Sequence, residues 1–204
     1  MSNGHGGTLI VFLNRIAQKL AGHTEESLAR VVMNETTRTW IDALPTDQMD
    51  AFEISGSFWE KRVSKPWKSF QSGWYPDFDI CSSVDGREKY DIVFAEQVFE
   101  HLAYPYRAIK NVYAMLRPGG CFLTTTPFLF KIHACPLDCT RWTPQGLAYL
   151  LEEGGFSRDA IRTASWGNRQ AVRLQLRPRN YCRLLHSLRN EPDYPVVVWA
   201  LARK

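Results

Sequence analysis

The stretch from Tyr90 to Pro127, YDIVFAEQVFEHLAYPYRAIKNVYAMLRPGGCFLTTTP, constrains the fold of this chain more than any other part of it. Tyr90 to Ala95 is a near-continuous apolar run, the pattern of a strand covered on both faces. Pro105 to Leu116 reads as a helix with proline in its first turn, and Gly119-Gly120 lies just beyond its end. Cys121 to Thr126 is the next strand. A strand, a covering helix and a second strand of these lengths form a βαβ unit, which makes the two strands parallel neighbours.

The alternation continues on either side. Ala51 to Ser55 is a short strand that ends at Gly56. Thr143 caps a helix that has Pro144 in its first turn and turns Leu147, Leu150 and Leu151 inward; Gly154-Gly155 ends it. Val196 to Leu201 is another buried strand. The first 45 residues instead read as helical. Thr8 to Leu20 sets Leu9, Phe12, Leu13, Ile16 and Leu20 on one stripe, and Gly22 follows as a stop. Thr24 caps a second helix, with Glu25 and Glu26 in its first turn, which runs through Leu28, Val31, Val32, Thr36 and Trp40 to about Leu44.

Composition rules out several classes. Of 204 residues, 45% are hydrophobic and 23% charged, which excludes a disordered chain, a collagen and a coiled-coil rod. No apolar run approaches the ~20 residues of a membrane helix. The start has no basic leader and its short apolar run is broken by Asn14 and Arg15, so a cytoplasmic protein is expected. Five cysteines, Cys81, Cys121, Cys135, Cys139 and Cys182, are an odd count that favours free thiols. Cys135, Cys139 and His133 lack the CxxC pairs of structural zinc sites, so they are expected to line a loop and hold no metal. Residues 157–204 carry ten Lys/Arg against three Asp/Glu within a chain of net charge +4. Such a basic tail either attracts anions or is a solvated face.

The Tyr90–Pro127 stretch resembles the central part of class I S-adenosylmethionine-dependent methyltransferases. In that family a strand ends in a polar residue, and an E-H-[LIV] turn, a helix, L-[RK]-P-G-G and a strand ending near T-x-P follow. The continuation PFLFKIHACPLDCTRWTPQGLAYLLEEGGF is similar to a subgroup associated with glycan or secondary-metabolite methylation, which carries P-F-x-x-x-I-H-x-x-P-x-D-x-x-R-[WYF]-T-P. The resemblance spans about residues 50–156. It implies a Rossmann-like, doubly wound, mostly parallel sheet over 47–204, with helices on both faces and the helices of 1–46 as a lid. It also implies S-adenosylmethionine as methyl donor, S-adenosylhomocysteine as product, and a small-molecule or glycan acceptor. A homodimer is compatible with this; nucleic acid and membrane are not expected partners.

The resemblance also assigns residues. Glu53, Ser55 and Gly56 stand at the first strand tip, beside the methionine end of the donor. Gln71 stands where relatives place an acid for the ribose, and Asp79, Ile80 and Cys81 stand near the adenine. Glu96 lies at the tip of YDIVFA, facing either the donor or the acceptor. His133 and His101 are the candidate bases, because imidazole titrates near neutrality and an acceptor hydroxyl must lose its proton as it attacks. Asp138, Arg141 and Trp142 either recognise the acceptor or order the loop before Thr143 as an internal ion pair. The family's glycine-rich loop is reduced here to Glu53-Ile54-Ser55-Gly56-Ser57-Phe58-Trp59. That departure keeps a second reading open, a partner or regulatory protein that has lost the donor. The arginine-rich tail keeps a third, an RNA methyltransferase.

Overall fold

The computed structural model describes residues 27–82, 84, 87–175 and 187–204. The expected helix from Thr8 to Leu20 and the Thr24 cap lie outside them. The six strands are β1 (Asp50–Ile54), β2 (Ser69–Gly73), β3 (Tyr90–Glu96), β4 (Leu116–Pro127), β5 (Ile161–Trp166) and β6 (Val197–Arg203). They form one sheet in the order β2-β1-β3-β4-β6-β5. β2, β1, β3 and β4 run parallel. β6 runs antiparallel to both its neighbours, so the sheet is mixed at that side. The order turns outward from β1 and β3 in opposite directions, which opens a crevice at their C-terminal ends.

Helices cover both faces, as expected. α1 (Leu28–Asp42) begins at Ser27, whose hydroxyl accepts from the Arg30 N–H at 3.2 Å. Its buried Leu28, Met33, Trp40 and Ile41 pack with Ile92, Phe94, Leu123 and Trp199 on one face of the sheet. α4 (Arg169–Gln175) adds Ala171 to the same layer. On the other face lie α2 (Pro105–Met115), with Ala108, Ile109, Val112 and Met115 inward, and α3 (Pro144–Glu153), with Leu147, Leu150 and Leu151 inward. Thr143 caps α3 by accepting from the Gly146 N–H at 3.0 Å. α2 ends at Met115 and passes straight into β4. Gly119-Gly120 therefore lies inside that strand, where a register shift against β3 accommodates it.

Among the described residues, the connections beside β2 carry no helix: 55–68 return from β1 to β2 as turns, and 74–82, 84 and 87–89 on the way to β3 form none either. In place of a covering helix, Trp59 enters the core fully buried and stacks on Phe94, with centroids 4.7 Å apart and planes 10° from parallel. Trp67 meets the same Phe94 edge-on at 5.6 Å and donates its indole N–H to the Trp59 carbonyl at 2.7 Å. Two aromatic side chains thus fill the layer that a helix usually fills.

Candidate active site

The described residues enclose a cavity of about 570 Å³ at the C-terminal edge of the parallel strands. Ser55 and Phe58 line it from the tip of β1, Glu96 and Gln97 from the tip of β3, and His101 and His133 from the loops beyond. Ser55 and Gln97 both hold left-handed backbone, with φ of 54° and 57°. For residues other than glycine such backbone is held only by surrounding structure. The Ser55 N–H donates to the Gly73 carbonyl at 2.8 Å. The Gln97 N–H donates to the Thr125 carbonyl at 2.9 Å, and its side-chain amide to the Thr125 hydroxyl at 3.1 Å. Adjacent strands therefore turn sharply at their tips and leave the crevice open between them.

Two buried carboxyls stand behind the tips. Glu53 is fully buried and accepts from the Trp59 N–H at 2.9 Å. Burial pushes its carboxyl up to about 7, and the neighbouring Glu96 adds to the shift. A side chain on Gly56 would strike the Glu53 carboxylate, with Cβ 2.3 Å from Oε1, so the single glycine lets the loop fold over that acid. Glu96, with 1% of its side chain exposed, is paired to Arg62 and faces Arg30 at 3.9 Å. Its Oε1 has no hydrogen-bond partner among the described residues.

The opposite wall is polar and built by a returning loop. The chain after β4 comes back over the Phe99–His101 turn, where the N–H of Cys139 donates to the Glu100 carbonyl at 2.7 Å. This brings Glu100 Oε1 to 3.7 Å from His101 Nε2 and 4.0 Å from His133 Nε2, with the two imidazole centroids 5.1 Å apart. Glu100 is fully buried, and burial pushes its carboxyl up to about 8. Burial also lowers the His133 pKa, against the pull of Asp138. Arg141 forks onto Asp138, one arm at 2.7 Å, and holds that carboxyl far below the usual range. Asp138 in turn accepts from the His133 backbone N–H at 2.8 Å.

Of the residues expected at the site, Ser55, Glu96, His101 and His133 line the cavity, and Glu53 and Gly56 stand immediately behind. Asp138 and Arg141 form the internal pair that orders the His133 loop, and Trp142 packs edge-on against Phe99. Gln71 does not line the cavity: it pairs opposite Phe52, below the strand tip, and accepts from the Tyr90 hydroxyl at 2.9 Å. Asp79 is occupied by its own turn, accepting from the Cys81 N–H and the Ser82 hydroxyl at 2.9 Å each. Ile80 is buried beneath it, and the Cys81 thiol faces the Tyr104 carbonyl at 3.7 Å. Sequence reasoning passed over Arg30, Phe58, Arg62 and Gln97. A basic residue among the aromatics Phe58, Trp59 and Trp67 was the available signal for Arg62. The left-handed Gln97 has no local signal. Cys81, Cys121, Cys135 and Cys139 are free thiols.

A six-stranded sheet with its crevice between β1 and β3, helices on both faces and an antiparallel β6 is the fold of Rossmann-like methyltransferases. It superposes on an S-adenosylmethionine-dependent methyltransferase of Mesorhizobium loti at a TM-score of 0.54, with 14% identity over 86% of this chain and 98% of that one. A Thermotoga maritima methyltransferase of the same dependence gives 0.57, with 13% identity over 95% and 96%. Phosphoethanolamine N-methyltransferase 2 of Haemonchus contortus, in complex with S-adenosyl-L-methionine, gives 0.56, with 11% identity over 84% and 52%. Residues 34–122 match the family model of the methyltransferase domain. The fold is thus that of S-adenosylmethionine-dependent methyltransferases, and the matched stretch is similar to their methyltransferase domain. No curated protein matches it. Among the described residues no helix is long and apolar enough to cross a membrane.

Proposed function

We propose that the chain methylates an oxygen of a small-molecule or glycan acceptor, a sugar or a secondary metabolite, bound in the cavity against His101 and His133. S-adenosylmethionine supplies an activated methyl group on a sulfonium. The residues at the strand tips suit a cationic donor. Glu96 offers a buried carboxylate with one oxygen free of hydrogen bonds among the described residues, and Ser55 and Gln97 bring backbone to the same crevice. The Asp79–Cys81 turn, further along the edge toward α2, frames the adenosine end.

The observation that carries the reading is the placement of two imidazoles on the wall beyond Glu96, with burial lowering the pKa of His133. A neutral imidazole takes the proton of an attacking hydroxyl; a neutral amine acceptor would need no such group. The test combines calorimetry with transfer of a labelled methyl group to hydroxylated acceptors. His133→Ala is expected to lower turnover by roughly 10²–10⁴-fold with donor affinity unchanged. Label recovered on nitrogen, or turnover unchanged in that variant, would overturn the oxygen reading.

A further inference from the structure

We propose that Glu100, His101 and His133 form a binding site for a divalent first-row transition-metal ion in the wall of the cavity. The three side chains offer one ligand atom each within 4.8 Å of one another. Both histidines present Nε2 to the same carboxylate oxygen, at 3.7 and 4.0 Å. Ligand atoms around an ion at about 2.0–2.2 Å stand roughly 3–3.6 Å apart, so the side chains close inward by up to about 1 Å to hold one.

The far side of the His101 ring is held as a metal ligand requires, whereas His133 Nδ1 has no hydrogen-bond partner among the described residues. His101 Nδ1 is 2.6 Å from the Leu137 carbonyl, which fixes the proton there and leaves Nε2 with its lone pair. His133 Nδ1 faces Asp138 Oδ2 at 3.4 Å, and Arg141 fixes that carboxylate. The independent observation is Glu100. Its side chain is fully buried, and neither oxygen has a hydrogen-bond partner among the described residues. A carboxyl buried in that way is costly, and a dication between it and two imidazoles removes the cost. Two nitrogens and one oxygen suit manganese, iron, cobalt, nickel or zinc better than calcium or magnesium, which prefer oxygen throughout. Glu100 lies behind the histidines and the histidines line the cavity, so the remaining coordination positions open into it.

For what the ion does there, the inference rests on the acceptor reading. With the ion in place, His133 is a ligand rather than a base. The ion would lower the pKa of an acceptor hydroxyl beside it, and the proton would leave to solvent.

The experiment titrates chelator-treated, full-length protein with Co²⁺ and follows ligand-field absorption, with no donor present. One saturable equivalent, displaced by Zn²⁺, is expected. Glu100→Gln and His133→Ala should each weaken binding by more than about 100-fold, and Asp138→Asn by about 10–100-fold, with the far-ultraviolet circular dichroism of each variant unchanged. Absence of a saturable band, or equal affinity in wild type and His133→Ala, would overturn the site. Loss of turnover in His133→Ala together with full turnover after chelation would also overturn it and leave the base reading standing. Cobalt binding in a chain that methylates no hydroxyl would uphold the site while the acceptor reading falls.

Discussion

Glu53 ends β1 with no exposed surface, and its carboxyl keeps its proton up to about pH 7 because burial outweighs the hydrogen bond from the Trp59 N–H. The unfolded chain releases that proton near pH 4.5. Between these two values the native state binds more protons than the unfolded state, so stability falls as pH rises through the window and is flat above it. The loss is on the order of 3 kcal/mol. Glu53→Gln keeps an acceptor for the Trp59 N–H and removes the ionisation. Chemical denaturation of the variant should show a gain over wild type at pH 8 and none at pH 4. An equal gain at both pH values would mean that the carboxyl titrates alike in the native and unfolded states. Gly56 belongs to the same arrangement. Gly56→Ala pushes Cβ into the carboxyl and should weaken donor binding, read by calorimetry, more than it lowers the melting temperature.

At the scale of elements, the crossover from β1 to β2 is the chain's main departure from the usual layer of helix. Its hold on the sheet is aromatic. Trp59→Ala removes a fully buried indole stacked on Phe94 and should cost about 3–5 kcal/mol. Trp59→Phe should cost much less, because it keeps the stack and discards an indole N–H that has no hydrogen-bond partner among the described residues. Denaturant midpoints of the two variants check the ordering. The same crossover carries Arg62 to the buried Glu96. Arg62→Gln leaves that carboxylate facing Arg30 at 3.9 Å. The field at the cavity becomes more negative, so affinity for the cationic donor should rise relative to the uncharged-sulfur product; paired calorimetric titrations measure the ratio. A ratio that does not move would place the donor's sulfonium away from Glu96. Little of this crossover could be read in the sequence. Phe58, Trp59 and Trp67 have neither helical nor strand spacing, and their positions are set by Phe94, a residue distant in the chain. β3, α2 and β4 were legible because their patterns are local: the strands are buried on both faces and the helix on one. β2, with its exposed Gln71 and Ser72, becomes a strand only by pairing with β1.

Across the whole molecule, direction and depth were the properties hardest to read from one sequence. The apolar run of β6 announces a buried strand, but its antiparallel course is decided by pairing with β4 and β5, which no local pattern encodes. The meeting of Glu100 with His133 depends likewise on a loop that returns across the sheet edge, where Cys139 and Thr140 both donate to the Glu100 carbonyl. The same unevenness predicts how stability is distributed. β3, β4 and β6 are buried and helix-covered, whereas β2 is an edge strand half open to water, flanked by connections that hold no helix among the described residues. Opening should therefore be cheapest over residues 55–82 and dearest in β3 and β4. Hydrogen exchange read by mass spectrometry should show the first set exchanging far sooner. Donor bound between the tips of β1 and β3 contacts that weak edge, and its binding energy adds to the cost of opening it. Saturating S-adenosylmethionine should thus slow exchange across 55–82 while leaving β5 and α3 unchanged. Protection confined to α3 and β5 would put the donor on the wrong side of the sheet and remove the crevice assigned to it here.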